Sequence, residues 1–255
     1  MLWLIDMDGV LWLSGRPIEG SADAVGRLRR GGNRLLFLTN NSSARVEETV
    51  EKMKELGIEA EADDVVTSAQ AAASLVEADT RVLVCGGPGV EEAVRARGAE
   101  PVRDGAADAV IVGWHRDFDF DRLDAAYRAV AGGARLIGTN DDPTYPTPDG
   151  AVPGGGAILA AVATASGETP VVAGKPHQPM ASLVAARVGG EVGEGVMVGD
   201  RPSTDGLMAK RLRLPFALVL SGVTGEDDLP VEPSPQVVAP DLDSLVGEDG
   251  ELTRP

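Results

Sequence analysis

Cysteine and long apolar segments are both scarce in this 255-residue chain. The single cysteine, Cys85, excludes an intramolecular disulfide, and its apolar neighbours predict a small core residue. No segment reaches the roughly 20 apolar residues that a membrane span needs. Asp6 and Asp8 interrupt the N-terminal apolar stretch and no basic region precedes it, which is not typical of a signal peptide. We therefore expect a cytoplasmic protein.

Basic residues are also in short supply. Lys and Arg number 23 against 40 Asp and Glu, which gives a formal net charge of -17. Such an acidic surface repels nucleic acid and anionic membranes, so we expect neither as a partner. It also repels phosphorylated molecules, and a substrate of that kind would need a local cation to attract it.

Histidines and nucleotide-binding signatures are few. Of the two histidines, His115 follows a predicted strand and is expected to be structural or exposed, whereas His177 lies near Lys175 in the sequence and is a candidate substrate contact. The glycine-rich run at residues 86–89 lacks the G-x-G-x-x-G spacing of a dinucleotide fingerprint. We therefore predict no nucleotide cofactor.

The chain does contain a regular alternation of short apolar strands and amphipathic helices. This order is typical of a doubly wound parallel sheet, and we predict an α/β fold with a Rossmann-like core. A second series of strands and helices begins near Arg81. The first series continues at residues 170–173, where we expect a strand of the first sheet. The predicted core is residues 1–79 and 172–255, with an inserted α/β domain at residues 80–171.

Polar side chains follow four of the predicted strands. They are Asp6 with Asp8, Thr39 with Asn40, Lys175, and Asp200 with Asp205. If these strands are parallel neighbours in one sheet, the side chains meet at its carboxyl edge, where open α/β sheets bind ligands. Crowded carboxylates need a counter-charge, and hard oxygen ligands such as Asp6 and Asp200 favour Mg²⁺. The helix start after Thr39, together with Lys175, suits a phosphate.

Each of these clusters is ordinary when it is considered alone. A D-x-D-G segment is usually an acidic surface turn, and residues 39–43 could be a plain helix N-cap. Gly174-Lys175-Pro176 could be a simple turn, and Gly199-Asp200 a simple helix start. The order of the clusters and their shared position after strands favour the functional interpretation.

The same segments resemble the haloacid dehalogenase-like phosphatases. Within that family they resemble subclass IIA, in which a large α/β cap is inserted between the second and third motifs, and which includes the NagD-type, 4-nitrophenyl, phosphoglycolate and pyridoxal phosphate phosphatases. The matching segments run in the family's order over nearly the whole chain. They are Asp6-Met7-Asp8-Gly9-Val10-Leu11, Phe37-Leu38-Thr39-Asn40-Asn41-Ser42, Thr139-Asn140-Asp141-Asp142, Pro153-Gly154-Gly155-Gly156-Ala157, Gly174-Lys175-Pro176, Gly199-Asp200 with Thr204-Asp205, and Leu218-Val219-Leu220-Ser221-Gly222-Val223-Thr224.

The resemblance implies a role for each carboxylate. Asp6 would be the nucleophile that forms an aspartyl-phosphate, and Asp8 would protonate the leaving oxygen and then activate water. Mg²⁺ would be held by the Asp6 and Asp200 carboxylates and by the backbone carbonyl of Asp8. Asp205 would orient Lys175 or a metal-bound water.

The resemblance also implies how the phosphoryl group is bound. Thr39, the amide of Asn40 and Lys175 would stabilise the transferring group. Because the acid Asp8 is present, the resemblance favours hydrolysis. We expect a Mg²⁺-dependent phosphatase of a small phosphate monoester, drawn from the sugar phosphates, glycerol phosphate, phosphoglycolate and the nucleoside monophosphates.

The substrate would be selected by the cap. We predict a long polar loop at residues 139–153, because this segment holds four prolines. Within it, Asn140, Asp142 and Tyr145 are candidate specificity residues, although Tyr145 could equally pack inside the loop. Relatives of this subclass often dimerise through the cap, which implies a homodimer.

Two other functions compete with the phosphatase. A receiver-type signalling domain also combines an acidic pair, a phosphorylated aspartate, a hydroxyl and a lysine, but it is roughly half as long and has no cap. A non-catalytic binding protein would not need the complete set of Asp6, Asp8, Lys175 and Asp200. A stable phosphoryl label on Asp6 without turnover would favour the receiver.

Overall fold

The computed structural model of the protein describes residues 1–13, 15–147 and 150–253. Helices flank its two large sheets. Within these sheets, each strand pair that has a determined register is parallel. The predicted α/β fold class is confirmed.

The first sheet is built around the apolar segment that opens the chain. Its strands are, in spatial order, β15 (Val237–Ala239), β14 (Phe216–Val219), β13 (Gly195–Gly199), β1 (Leu2–Asp6), β4 (Arg34–Thr39) and β5 (Val65–Thr67). β1 runs parallel to both neighbours, with Leu4 opposite Met197 on one side and Leu36 on the other. All of β1 is buried, which explains why its sequence is continuously apolar and not alternating.

Helices alternate with these strands along the chain. They are α1 (Ser21–Arg30), α2 (Val46–Glu55), α7 (Gln178–Val188), which precedes β13, α8 (Leu207–Leu212) and α9 (Leu242–Leu245). α1 buries Ala24, Val25 and Leu28 on one face, as its apolar spacing predicts. It is followed by Gly32 with a φ of 73°, a conformation that glycine adopts at little steric cost.

The second sheet is formed by the middle of the chain. Its strands are, in spatial order, β12 (Val171–Val172), β9 (Arg135–Gly138), β8 (Ala109–Val112), β6 (Arg81–Cys85) and β7 (Glu100–Val102), and the helices of this region are α3 (Ser68–Ala73), α4 (Pro88–Ala96), α5 (Phe120–Ala131) and α6 (Gly155–Ser166). Cys85 is a buried core residue, as predicted, and burial raises the pKa of its thiol to about 11.

Two of these strands differ from the sequence prediction. The strand at residues 170–173 does not return to the first sheet, so that expectation is wrong: β12 pairs in parallel with β9, with Val171 opposite Ile137. An apolar run indicates a strand but does not indicate which of two sheets supplies its partner. β7 was not predicted, because Pro101 interrupts a segment with few apolar residues.

The predicted polar loop at residues 139–153 also differs. It contains an antiparallel hairpin, in which β10 (Thr144–Thr147) pairs with β11 (Gly150–Pro153) and Tyr145 lies opposite Val152. Residues 148 and 149 lie outside the described residues. Proline counts against a strand inside a sheet, but a two-stranded hairpin has edges that tolerate it. A second antiparallel pair joins β2 (Trp12–Leu13) to β3 (Arg16–Pro17).

The chain divides into two compact units. The first comprises Met1–Thr39, Glu47–Val66 and Val184–Pro255, and the second comprises Asn40–Val46 and Thr67–Leu183. The six-stranded sheet belongs to the first unit and the five-stranded sheet to the second. The assignment of residues 1–79 and 172–255 to a core domain and of 80–171 to an inserted cap stays a prediction. Among the described helices, none has both the length and the apolar character needed to cross a membrane.

Candidate functional site

Three buried carboxylates converge in the first unit. Asp6 ends β1, Asp200 directly follows the neighbouring strand β13, and Asp205 lies one turn further on. One ligand oxygen from each lies within 4.8 Å of the others. Buried like charges at this separation repel one another unless a cation neutralises them. A set of hard carboxylate oxygens fits Mg²⁺, and Asp6 with Asp200 is the pair that the sequence predicted as ligands.

The Asp200 carboxylate is held by backbone from two other segments. A side-chain carbon at Gly9, whose φ is 90°, or at Gly222 would overlap this carboxylate. The amide of Val223 donates a hydrogen bond to Asp200 Oδ2 at 2.6 Å, and the hydroxyl of Ser221 donates one to the Gly9 carbonyl at 2.7 Å. Sequence reasoning gave residues 218–224 no role, although they are part of the family resemblance.

Asp205 is held in a similar way. A side chain at Gly199 would overlap the Asp205 carboxylate, and the amide of Arg201 donates to Asp205 Oδ2 at 3.1 Å. Asp205 is one of the three clustered carboxylates, whereas the sequence predicted that it would orient Lys175 or a metal-bound water. Its chemical role stays a prediction.

Asp8 points into a different environment from that of Asp6. The Asp6 carboxylate accepts a hydrogen bond from the amide of Met7 at 2.8 Å, while Asp8 Oδ1 accepts one from the indole Nε1 of Trp12 at 2.9 Å. The ammonium of Lys52 lies 3.8 Å from the centroid of the Trp12 ring. Burial lowers the pKa of Lys52, and the nearby Asp8 carboxylate opposes that shift.

Thr39 ends β4 on the other side of β1. Leu38 is opposite Asp6 in the parallel register, so Thr39 and Asp6 lie at the same edge of the first sheet. Thr39 is buried. Three of the four predicted strand ends, those of Asp6, Thr39 and Asp200, therefore share one edge.

Lys175 does not follow a strand of that sheet. It comes after β12 of the second sheet, so the expectation of four strand ends on one sheet is wrong for Lys175. Only 2% of Lys175 is exposed. Its action on the same phosphoryl group as Asp6 stays a prediction.

The loop that carries Lys175 is held by the side chain of Asn40. The amide of Lys175 donates to Asn40 Oδ1 at 2.8 Å, and Asn40 Nδ2 donates to the Lys175 carbonyl at 3.0 Å. A side chain at Gly174 would lie 2.5 Å from Asn40 Oδ1, so only glycine allows this approach. The sequence predicted a role for the Asn40 backbone amide but not for its side chain, whose function is visible only in the fold.

The three candidate specificity residues gather around the same segment. Asn140 Nδ2 donates to the Asn40 carbonyl at 2.8 Å, and Asn40 Nδ2 also donates to Asp142 Oδ2 at 3.0 Å. Tyr145 OH lies 3.4 Å from Asn41 Nδ2, and its ring stacks on Trp114 at a centroid distance of 4.9 Å. Tyr145 therefore packs against a residue outside its own loop, and its role in specificity stays a prediction.

The two histidines have different surroundings. His115 is buried, its Nδ1 lies 2.8 Å from the Gly113 carbonyl, and burial lowers its pKa, so it is structural. His177 Nε2 lies 3.1 Å from Asp141 Oδ2, and this hydrogen bond holds the pKa of Asp141 below its ordinary value. His177 thus joins the Lys175 loop to the segment that leads into the hairpin.

Comparison with known proteins identifies the family. The model described as haloacid dehalogenase-like hydrolase matches residues 3–100, and the model described as HAD-hydrolase-like matches residues 172–245. D-glycerol 3-phosphate phosphatase of Mycobacterium tuberculosis is 38% identical over 251 residues, which cover 95% of this chain and 70% of that protein. The chain belongs to the haloacid dehalogenase-like hydrolases.

Other members of this family match along the whole chain. The acid sugar phosphatase of Staphylococcus saprophyticus is 31% identical over 250 residues, which cover 96% of each chain. The crystal structure of the Mycobacterium tuberculosis glycerol phosphate phosphatase in complex with magnesium superposes with a TM-score of 0.87 at 36% identity, and covers 95% of this chain and 75% of that chain. The predicted family is confirmed. The prediction that this haloacid dehalogenase-like hydrolase is an enzyme of the phosphatase class is confirmed as well.

Proposed function

We propose that this hydrolase is a Mg²⁺-dependent phosphatase that cleaves a small phosphate monoester through an aspartyl-phosphate on Asp6. The observation that carries the proposal is the buried group formed by Asp6, Asp200 and Asp205. Such a group favours a counter-charge, and an incomplete shell of carboxylates suits a metal that keeps waters and binds phosphate. The magnesium complex of the mycobacterial relative supports the same metal.

Asp6, Asp200 and the backbone carbonyl of Asp8 would hold the ion, with Asp205 beside it. When bound, Mg²⁺ would neutralise these carboxylates and polarise the phosphoryl oxygens. This charge would also attract an anionic substrate to a protein whose net charge is -17.

The reaction would proceed in two displacements at phosphorus. In the first, an Asp6 oxygen forms a bond to phosphorus, the bond to the alcohol oxygen breaks, and Asp8 gives its proton to that oxygen. In the second, Asp8 takes a proton from water, the water oxygen bonds to phosphorus, and the Asp6 bond breaks to release inorganic phosphate. Asp8 loses its proton in the first displacement and regains one from water in the second, so the full cycle returns it to its starting state.

The remaining predicted residues would stabilise the transferring phosphoryl group. Thr39 would donate its hydroxyl hydrogen, Asn40 its backbone amide, and Lys175 its ammonium group. The burial of Lys175 supports this role, because a positive charge in a water-poor environment acts on a phosphate with little screening.

The substrate would be a small polyol or sugar phosphate, and phosphoglycolate and nucleoside monophosphates belong to the same test panel. The relatives act, by name, on glycerol 3-phosphate and on sugar phosphates. Asn140, Asp142 and Tyr145 would select among them. The inserted cap domain and its use in a homodimer are parts of the same proposal that rest on the family resemblance. A cytoplasmic location, which we expect from the sequence, is also part of the proposal.

The test is phosphate release from D-glycerol 3-phosphate and 4-nitrophenyl phosphate with Mg²⁺ and with a chelator. We expect turnover that requires Mg²⁺ and is lost in Asp6→Asn, with folding checked by circular dichroism. Turnover that is indifferent to chelator, or that survives in Asp6→Asn, would overturn the proposal. Stable labelling of Asp6 without turnover would favour the receiver-like alternative.

A further inference from the structure

The contacts of Trp12 give this residue a function that the sequence did not indicate. Its indole nitrogen donates to Asp8, and the ammonium of Lys52 lies against its ring. We propose that Trp12 is a positioning residue, which fixes the Asp8 carboxylate for proton transfer, and that Lys52 fixes Trp12. This inference rests on the proposed role of Asp8 as acid and base.

The backbone of this turn is fixed without help from the indole. The amide of Gly9 donates to the Trp12 carbonyl at 2.7 Å, and the amide of Trp12 donates to the Met7 carbonyl at 3.3 Å. Trp12 is buried, with 3% of its surface exposed, and its backbone pairs with Pro17 across the β2–β3 hairpin. The indole bond to Asp8 therefore orients a side chain on a turn whose course other bonds already determine.

The chemistry of the indole distinguishes the two carboxyl oxygens of Asp8. An indole nitrogen only donates, and the carbonyl oxygen of a protonated carboxyl accepts a hydrogen bond better than its hydroxyl oxygen does. Since Trp12 bonds to Asp8 Oδ1, the proton that Asp8 transfers would reside on the other carboxyl oxygen, Oδ2. Trp12 would thus determine which oxygen of Asp8 serves the leaving group.

Lys52 reaches this pair from helix α2. An ammonium group over an indole face is attracted by the ring, most strongly where water is partly excluded. Lys52 is half-buried, whereas Lys54 on the same helix is exposed. Lys54 therefore offers a matched control for the removal of one lysine from α2.

The test compares substrates whose leaving groups differ in their need for a proton. An alkoxide, as from glycerol phosphate, leaves poorly without a proton, whereas 4-nitrophenolate leaves readily without one. We would measure kcat and KM for D-glycerol 3-phosphate, and the single-turnover release of 4-nitrophenolate, in Trp12→Phe, Lys52→Met, Lys52→Arg, Lys54→Met and Asp8→Asn. Trp12→Phe keeps an aromatic ring but removes the donor.

We expect Trp12→Phe to reduce kcat for glycerol phosphate about tenfold or more, with KM and the release of 4-nitrophenolate nearly unchanged. Lys52→Met should show a smaller loss with the same selectivity, Lys52→Arg should restore activity, and Lys54→Met should match the unmodified enzyme. If Trp12→Phe does not fold, the selectivity of Lys52→Met decides the matter.

Two results would overturn the inference: equal losses for both leaving groups, or full activity toward glycerol phosphate in Trp12→Phe. The Asp8→Asn variant separates this failure from a failure of the proposed function. If Asp8→Asn hydrolyses glycerol phosphate normally, the role proposed for Asp8 is wrong. If Asp8→Asn is inactive and Trp12→Phe is normal, only the positioning role is wrong.

Discussion

The carboxylates of the first unit and the lysine of the second are held in place by different means. Asp200 rests against backbone, where Gly9 and Gly222 leave space for its carboxylate. The Lys175 loop is held by one side chain, that of Asn40, through two hydrogen bonds. The first arrangement requires the absence of side chains at defined positions, whereas the second requires the presence of a particular amide.

The largest effect is expected from a methyl group beside Asp200. In Gly222→Ala, the added carbon would overlap the carboxylate and displace it, and a misplacement of about 1 Å at a catalytic group can reduce the rate about 100-fold. We expect a loss of that order in kcat, together with weaker Mg²⁺ binding measured by calorimetry. Gly193→Ala is the matched control, because its new methyl group would meet nothing within 4 Å. Unchanged Mg²⁺ affinity in Gly222→Ala would contradict the backbone-held arrangement.

A smaller loss is expected when the amide that holds Lys175 is removed. Asn40→Ala would leave the backbone amide and carbonyl of Lys175 without these two bonds, which costs about 1–3 kcal/mol per buried group. We expect a lower unfolding free energy in urea. Because the loop that carries Lys175 loses both bonds, we also expect kcat to fall roughly tenfold, which corresponds to about 1.4 kcal/mol of transition-state stabilisation.

The variant Asn40→Asp sharpens this test. It keeps an acceptor for the Lys175 amide but loses the donor, and it places a carboxylate opposite that of Asp142. We expect it to be no more active than Asn40→Ala. Normal activity in both variants would show that the Lys175 loop does not depend on this side chain.

A third prediction concerns the aromatic stack on the hairpin. Trp114→Ala removes the ring under Tyr145 and the indole bond to the Pro153 carbonyl, and an aromatic pair contributes about 0.5–1.5 kcal/mol beyond its burial. We expect the ratio of kcat/KM between glycerol phosphate and a sugar phosphate to change about three- to tenfold. Tyr145→Phe, which keeps the stack, should change this ratio less. An unaltered ratio in Trp114→Ala would exclude the hairpin from substrate selection.

The smallest effect is a dependence of stability on pH. The hydrogen bond with His177 lowers the pKa of Asp141 in the folded protein below its ordinary value of 3.8. Its contribution is therefore complete above that ordinary value and is lost as pH falls through the lowered pKa. Both side chains are partly exposed, so solvent weakens the pair. We expect Asp141→Asn to reduce the Tm by about 1 °C near pH 5 and by less near pH 3; an equal reduction at both would contradict the assignment.

Several elements were predictable because their hydrophobic pattern in the sequence matches their burial in the fold. β1 is continuously apolar because it is covered on both faces, and its end at Asp6 follows from the same pattern. The apolar run of β12 does not indicate its sheet, because its partner, β9, lies more than 30 residues away in the sequence and leaves no local signal. The hairpin at β10 and β11 is not apparent from the sequence, because prolines usually indicate a loop and not a strand.

Part of the candidate site was likewise predictable from the sequence, and part of it was not. Asp6, Asp200 and Asp205 could be found from strand ends, because carboxylates after buried strands are unusual in a core. The support from Gly222 and the contacts of the Asn40 side chain could not be found, because they depend on segments that meet only in the folded chain.

The glycines beside Asp200 also limit how this enzyme can change. No replacement at Gly9 or Gly222 fits next to the carboxylate, so random mutagenesis at these codons should yield almost entirely inactive clones. Laboratory selection for a new substrate should instead accumulate its successful changes around Trp114 and the hairpin, where side chains and not bare backbone form the contacts.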